Sequence, residues 1–169
     1  MNKLFAALVF SAAFVCTASA KELIKNGNFA ELVKTRIGGQ EEMFPKHFEV
    51  YGSSVKNHKV VKTEKGHEVW SKGVLAVGFG VPKGMPEGSV YTLVVRAKGQ
   101  GKIGVRTWSW EGHSPRKNHR NLNLPKQALT ESWHDYTFKI PYLPKETYMI
   151  VYIDGNVTLE NISCTIAKE

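Results

Sequence analysis

The sequence predicts an all-β fold, with short strands packed as a sandwich or barrel. Runs rich in Val, Ile, Tyr, Thr and Trp recur at near-regular spacing, at 74–81, 90–97, 104–110, 133–140, 148–153 and 158–166. The intervals between them hold turn formers: Pro82-Lys83-Gly84-Met85-Pro86-Glu87-Gly88, Lys98-Gly99-Gln100-Gly101, the polar stretch after Glu111, 141–144, and Asp154-Gly155-Asn156. No long segment carries a helical period; 29–33 alone suggests a turn or two of helix.

Taken in order, residues 1–20 (MNKLFAALVFSAAFVCTASA) place one lysine before an apolar run and end in small residues, the pattern of a signal peptide cleaved near Ala20. The run is too short to span a bilayer, so the expectation is an exported protein, secreted or periplasmic, with no membrane anchor. The stretch 56–65 (KNHKVVKTEK) is basic and reads as surface. In 90–97, Tyr91, Leu93, Val95 and Ala97 form an apolar face opposite Val90, Thr92, Val94 and Arg96. In 133–140, Tyr136, Phe138 and Ile140 oppose Trp133, Asp135, Thr137 and Lys139. Each strand thus has one core side and one wet side. In the last run Ile162, Cys164 and Ile166 share a face, which makes Cys164 a buried structural thiol rather than a nucleophile.

Of 169 residues, a 20-residue leader leaves 149, enough for one domain at 21–169 with a sizeable core. Lys3 is the single charged residue lost with the leader, so 22 Lys and Arg stand against 15 Asp and Glu, a net charge of +7. That balance favours acidic partners. Cys164 remains as a lone cysteine, so export brings no intramolecular disulfide.

Three segments resemble carbohydrate-binding modules of the galactose-binding-domain-like jelly-roll type. ELIKNGNFAE is similar to their opening Asn-Gly-x-Phe strand, PEGSVYTLVVRAKGQG to their Tyr-Thr-Leu strand, and ESWHDYTFKI with YMIVYIDGNVTLENISC to their closing strands. The resemblance spans nearly all of 21–169 and implies a single β-sandwich of jelly-roll type. It departs at Ala30, where the family often has Glu, with Glu31 one place later, and at Glu160 in place of Asp. Those family positions commonly contribute to structural calcium, which takes six to eight oxygens. With one carboxylate lost and another lengthened, no cofactor is assigned. Pro45-Lys46-His47-Phe48 keeps an aromatic for the core where the family often has Trp.

The densest cluster of chemistry is VRTWSWEGHSPRKNHR, 105–120. Ile103, Val105 and Thr107 alternate with Arg106, Trp108 and Trp110. If the first set faces the core, two indoles lie beside a guanidinium on the outer face. Indoles stack on the apolar face of a sugar ring, and a guanidinium pairs with a hydroxyl, carboxylate or sulfate. Same-face neighbours lie about 6.5–7 Å apart, close to one sugar ring. With the faces inverted, the indoles fill the core instead. Arg116, Lys117, His119 and Arg120 follow as a basic rim, and Lys126 extends it; 131–169 carries six acids against three bases. The same run is also read as a solvated loop. Tyr51 and Trp70 are further aromatic candidates.

The function expected is therefore non-catalytic binding of a polysaccharide, with acidic glycans favoured by the charge. A protein-binding or adhesive sandwich is the second reading, and a small polysaccharide lyase using Arg106, His113, His119 and a tyrosine the third. No catalytic residue is nominated: Glu111, Asp135 and Asp154 are too scattered to form a glycosidase pair. His113 and His119 match no zinc spacing, and His58 and His67 read as ordinary surface histidines. Export and the lack of a nucleic-acid motif argue against nucleic acid.

Overall fold

The computed structural model describes residues 21–51, 57–81, 88–110, 120–141 and 146–168, with the backbone alone at 51, 81, 108–110, 120–121, 146–147 and 168. These residues form β1 (Lys21–Glu22), β2 (Leu32–Ile37), β3 (Gln40–Pro45), β4 (Glu49–Tyr51), β5 (His58–Thr63), β6 (Gly66–Val81), β7 (Ser89–Trp110), β8 (Arg120–Asn123), β9 (Gln127–Ala128), β10 (His134–Pro141) and β11 (Glu146–Lys168). The fold is a β-sandwich of jelly-roll type, as the strand spacing predicts.

Two long strands make its spine. β7 and β11 pair antiparallel along their whole length, from Ser89 opposite Lys168 to Trp110 opposite Glu146. In one half of this ribbon β10 flanks β7 and β1 flanks β11. In the other half β8 and β9 flank β7, while β6 flanks β11 and is edged by β4; β6 also reaches past Gly155 to Val69 opposite Leu159, where β5 edges it. The halves curl over a single core in which Leu93, Val95, Phe138 and Cys164 from one meet Val77, Ile103, Met149 and Val151 from the other. Each large apolar side chain so buried contributes about 1.5–3 kcal/mol.

The glycine stretches at 98–101 and 154–156, expected as turns, are bends within continuous strands. Gly99, Gly101 and Gly155 have φ of 142°, 134° and 141°, a region L side chains rarely adopt. A Cβ on Gly101 would lie 2.9 Å from Gly155 Cα, and one on Gly99 2.8 Å from Val157 Cα. Glycine here lets two paired backbones approach while both bend, so the ladder continues across the corner. A bulge between Leu159 and Asn161 then moves the buried set of β11 from Val157 and Leu159 to Ile162, Cys164 and Ile166.

The helical turn suggested at 29–33 is absent, and β2 starts at Leu32. Asn26 folds this segment otherwise: its carboxamide accepts the Glu31 N–H at 2.8 Å and donates to the carbonyls of Glu31 and Lys46. With Asn26 and Phe29 at φ of 61° and 56°, the chain makes a compact left-handed turn that drops Phe29 into the core. β2 and β3 form a separate hairpin, closed by Gly38-Gly39 at φ of 58° and 91°.

His58 and His67 are not the surface residues their setting suggests. The His58 side chain is 2% exposed; its Nε2 lies 2.9 Å from Glu42 Oε2, and its ring meets Phe44 edge-on. The His67 Nδ1–H donates to the Phe29 carbonyl at 2.7 Å. Both tie the N-terminal segment and the hairpin to the main sheet.

Candidate functional site

Strand alternation divides β7 as the sequence suggests up to residue 107. Ile103, Val105 and Thr107 are buried in the core, and Arg106 stands on the opposite face, partly exposed. The cross-strand register then places Arg106 at the centre of a row of five: Glu49 on β4, Gly78 on β6, Ile150 on β11, Arg106 on β7 and Asn123 on β8. Four strand spacings make this row about 19 Å wide. On either side run Ala76–Tyr152–Gly104 and Gly80–Tyr148–Trp108.

This strip of the outer face, here called the trough, has small residues beneath longer side chains. Ile150 and Ala76 lie on it, apart from the core cluster, yet each is 2% exposed. Gly78 leaves room for the ring of Tyr148, which lies across it; a Cβ there would meet the ring carbons at 2.7 and 2.8 Å. The Tyr148 hydroxyl donates to Glu49 Oε2 at 2.9 Å. Tyr152 leans the other way, its ring 5.0 Å from the Arg106 guanidinium carbon, its hydroxyl accepting from Nη1 at 3.4 Å. Arg106 Nε donates to Asn123 Oδ1 at 2.6 Å. Lys126 lies alongside, its Cγ 2.9 Å from where a Gly104 Cβ would be.

The arrangement suits a ring with an apolar face and polar edges. The two phenol rings supply apolar area, while Asn123, Glu49 and the tyrosine hydroxyls supply hydrogen-bonding groups. Charge is uneven: Glu49 stands at the β4 end and Arg106 with Lys126 at the β8 end.

Of the residues nominated from sequence, Arg106 is described in full. Trp108 and Trp110 continue β7 two and four positions further, in register opposite Tyr148 and Glu146, and Arg120 lies in β8 opposite Ser109. The side chains of these three, and Arg116, Lys117 and His119 altogether, lie outside the described residues, as do His113 and the Tyr51 side chain. Trp70 lies outside this trough, on β6 opposite Thr158. Sequence reasoning missed Glu49, Asn123, Tyr148 and Tyr152. For the tyrosines a signal existed: in YMIVYI they alternate with Met149, Val151 and Ile153, all buried.

The carboxylates weighed for calcium have cationic neighbours. Glu31 accepts from Lys46 Nζ at 2.8 Å, which lowers its pKa, and Glu160 pairs with Arg96. Among the described residues no group of three or more His, Cys, Asp or Glu gathers.

No protein-family model matches the sequence, and no curated protein matches it significantly. Solved structures do resemble the fold. The CBM22-1 xylan-binding domain of Paenibacillus barcinonensis Xyn10C matches with a TM-score of 0.62 at 9% identity, over 89% of this chain and 97% of that one. A carbohydrate-binding module in complex with β-1,4-galactotriose, TmCBM61, matches with a TM-score of 0.50 at 17% identity, over 88% and 99%. The Clostridium thermocellum Xyn10B CBM22-1–GH10 modules complexed with xylohexaose match with a TM-score of 0.51 at 9% identity, over 80% of this chain and 28% of that longer one. The chain thus shares the β-sandwich jelly-roll fold of these carbohydrate-binding modules. At these identities the likeness concerns the fold, and function is argued from the site.

Proposed function

We propose that the protein is a non-catalytic carbohydrate-binding module, exported after cleavage near Ala20, whose ligand lies across the trough on β4, β6, β11, β7 and β8. The observation that carries this reading is the pairing of a small-residue floor at Ala76, Gly78 and Gly104 with Tyr148, Tyr152 and Arg106 standing over it. Trp108 and Trp110 extend the platform by stacking on sugar rings, and Arg116, Lys117, His119 and Arg120 form a basic rim. With Arg106 and Lys126 at one end, acidic glycans are preferred to neutral ones.

Affinity electrophoresis against neutral and acidic polysaccharides tests this. Retention by an acidic polymer is expected, weakened about tenfold or more in Arg106→Ala and abolished in Trp108→Ala/Trp110→Ala, with circular dichroism unchanged. Full retention by the double variant would exclude the platform. Absorbance from unsaturated uronate on incubation with an acidic polymer would replace the reading with a lyase, for which Arg106 beside the Tyr152 hydroxyl is the relevant pair.

A further inference from the structure

A second concavity of ≈ 290 Å³ opens on the same sheet face, past the glycine bend. Two cross-strand rows build it. One runs Lys59–Trp70–Thr158–Lys98 across β5, β6, β11 and β7, and the next runs Lys72–Asn156–Gln100. Thr158 is six positions along β11 from Tyr152, about 20 Å, and Gly155 bends the strand between them. The concavity is therefore distinct from the trough.

Its lining is ordered by internal hydrogen bonds. Trp70 Nε1 donates to Asn156 Oδ1 at 2.8 Å, which holds the indole beside the opening. Gln100 Nε2 donates to Glu131 Oε1 at 2.6 Å, which orients this carboxylate of the lining while leaving its charge in place. Lys98 lines the concavity with its ammonium 4.5 Å from the Trp133 ring centroid, and makes no ion pair among the described residues. Its neighbour Arg96 differs, being committed to Asp135 and Glu160. The site offers an aromatic surface, carboxamide and hydroxyl groups from Gln100, Asn156 and Thr158, and two cations against the one carboxylate of its lining: Lys98, and Lys59 with its ammonium 5.8 Å from the Trp70 ring centroid.

We infer that this concavity is a second, independent binding site for a sugar residue bearing a carboxylate, a hexuronate whose ring contacts Trp70 and whose acid pairs with Lys98. The carboxamides and Thr158 meet its hydroxyls. A cation poised over an aromatic ring is only partly hydrated, so exchanging water for a carboxylate there costs less than at a freely solvated lysine. That the ligand is a saccharide rests on the proposed function; that a site exists here rests on the concavity.

The test follows the indole N–H resonance of Trp70, assigned by its loss in Trp70→Phe, as tetragalacturonate or cellotetraose is titrated into the mature protein. A saturable shift is expected with tetragalacturonate alone, about tenfold weaker in Lys98→Gln and retained in Arg106→Ala. The inference is overturned if Trp70 does not respond, if the neutral tetramer binds equally well, or if Lys98→Gln binds as tightly as the parent. Loss of the Trp70 response in Arg106→Ala would also overturn it, by assigning the ligand to the trough. A Trp70 response that persists while polysaccharide retention ignores the trough substitutions would sink the trough reading and leave this one standing.

Discussion

Arg106 shows how a single side chain organises the trough. Its guanidinium is held from two sides, by Asn123 Oδ1 at 2.6 Å and by the ring and hydroxyl of Tyr152, so one planar fork orients a phenol and an amide together. Lysine at this position would keep the charge and lose the fork. Cys164 is the opposite case, a group whose setting removes its chemistry. It is fully buried, and burial, with Glu22 nearby, pushes its thiol from an ordinary 9.0 up to about 12. The native protein is therefore expected to resist a thiol-specific disulfide reagent at pH 8, and to react fully once unfolded in urea. The linkage has a definite sign. A thiol that stays protonated in the native state but ionises in the unfolded chain contributes stability that is complete below pH 9. That contribution is lost as pH rises from about 9 to about 12. Denaturant titrations of the parent and Cys164→Val should diverge across that window, the parent losing more stability.

At the scale of elements, the glycine corner decides whether β7 and β11 can remain one ladder while serving both halves of the sandwich. Ala at 101 or 155 would meet the partner strand's backbone and would also have to adopt a φ near 140°. Each substitution should destabilise the protein by about 2–3 kcal/mol, read from urea midpoints. Gly80→Ala, where a Cβ meets nothing within 4 Å, is the control and should change stability by less than about 0.5 kcal/mol. Equal midpoints for Gly101→Ala and Gly80→Ala would refute the close-approach account. The corner also explains why composition misleads here. Lys-Gly-Gln-Gly reads as a turn because glycine and polar residues interrupt the apolar alternation, and a local pattern contains nothing of the partner strand that makes glycine necessary.

For the molecule as a whole, one hydrophobic cluster joins residues from both halves of the β7–β11 ribbon, so neither half has a core of its own. Unfolding should be a single cooperative step, with tryptophan fluorescence and far-ultraviolet circular dichroism giving coincident urea transitions. Separated transitions would mean that the halves are independent units. The hairpin β2–β3 joins the same core through Ile37 and Phe44 while Val33 and Met43 stay exposed, and His58 and Glu42 link it to β5.

The sequence by itself determined the class of fold and the inward faces of its main strands. Period-two alternation in 90–97, 104–107 and 133–140 is a local property, and Leu93, Val95, Val105, Phe138 and Ile140 are buried as it requires. It also singled out Arg106, because a charged residue between buried neighbours must face outward. The tertiary structure alone decided the rest. Glu49, Tyr148, Tyr152, Arg106 and Asn123 come from four strands between 49 and 152, and only pairing across the sheet makes them neighbours. The bend concavity likewise joins Trp70 to Lys98 and Asn156 through register. Alternation tells which way a side chain points, whereas strand order and register tell what it meets.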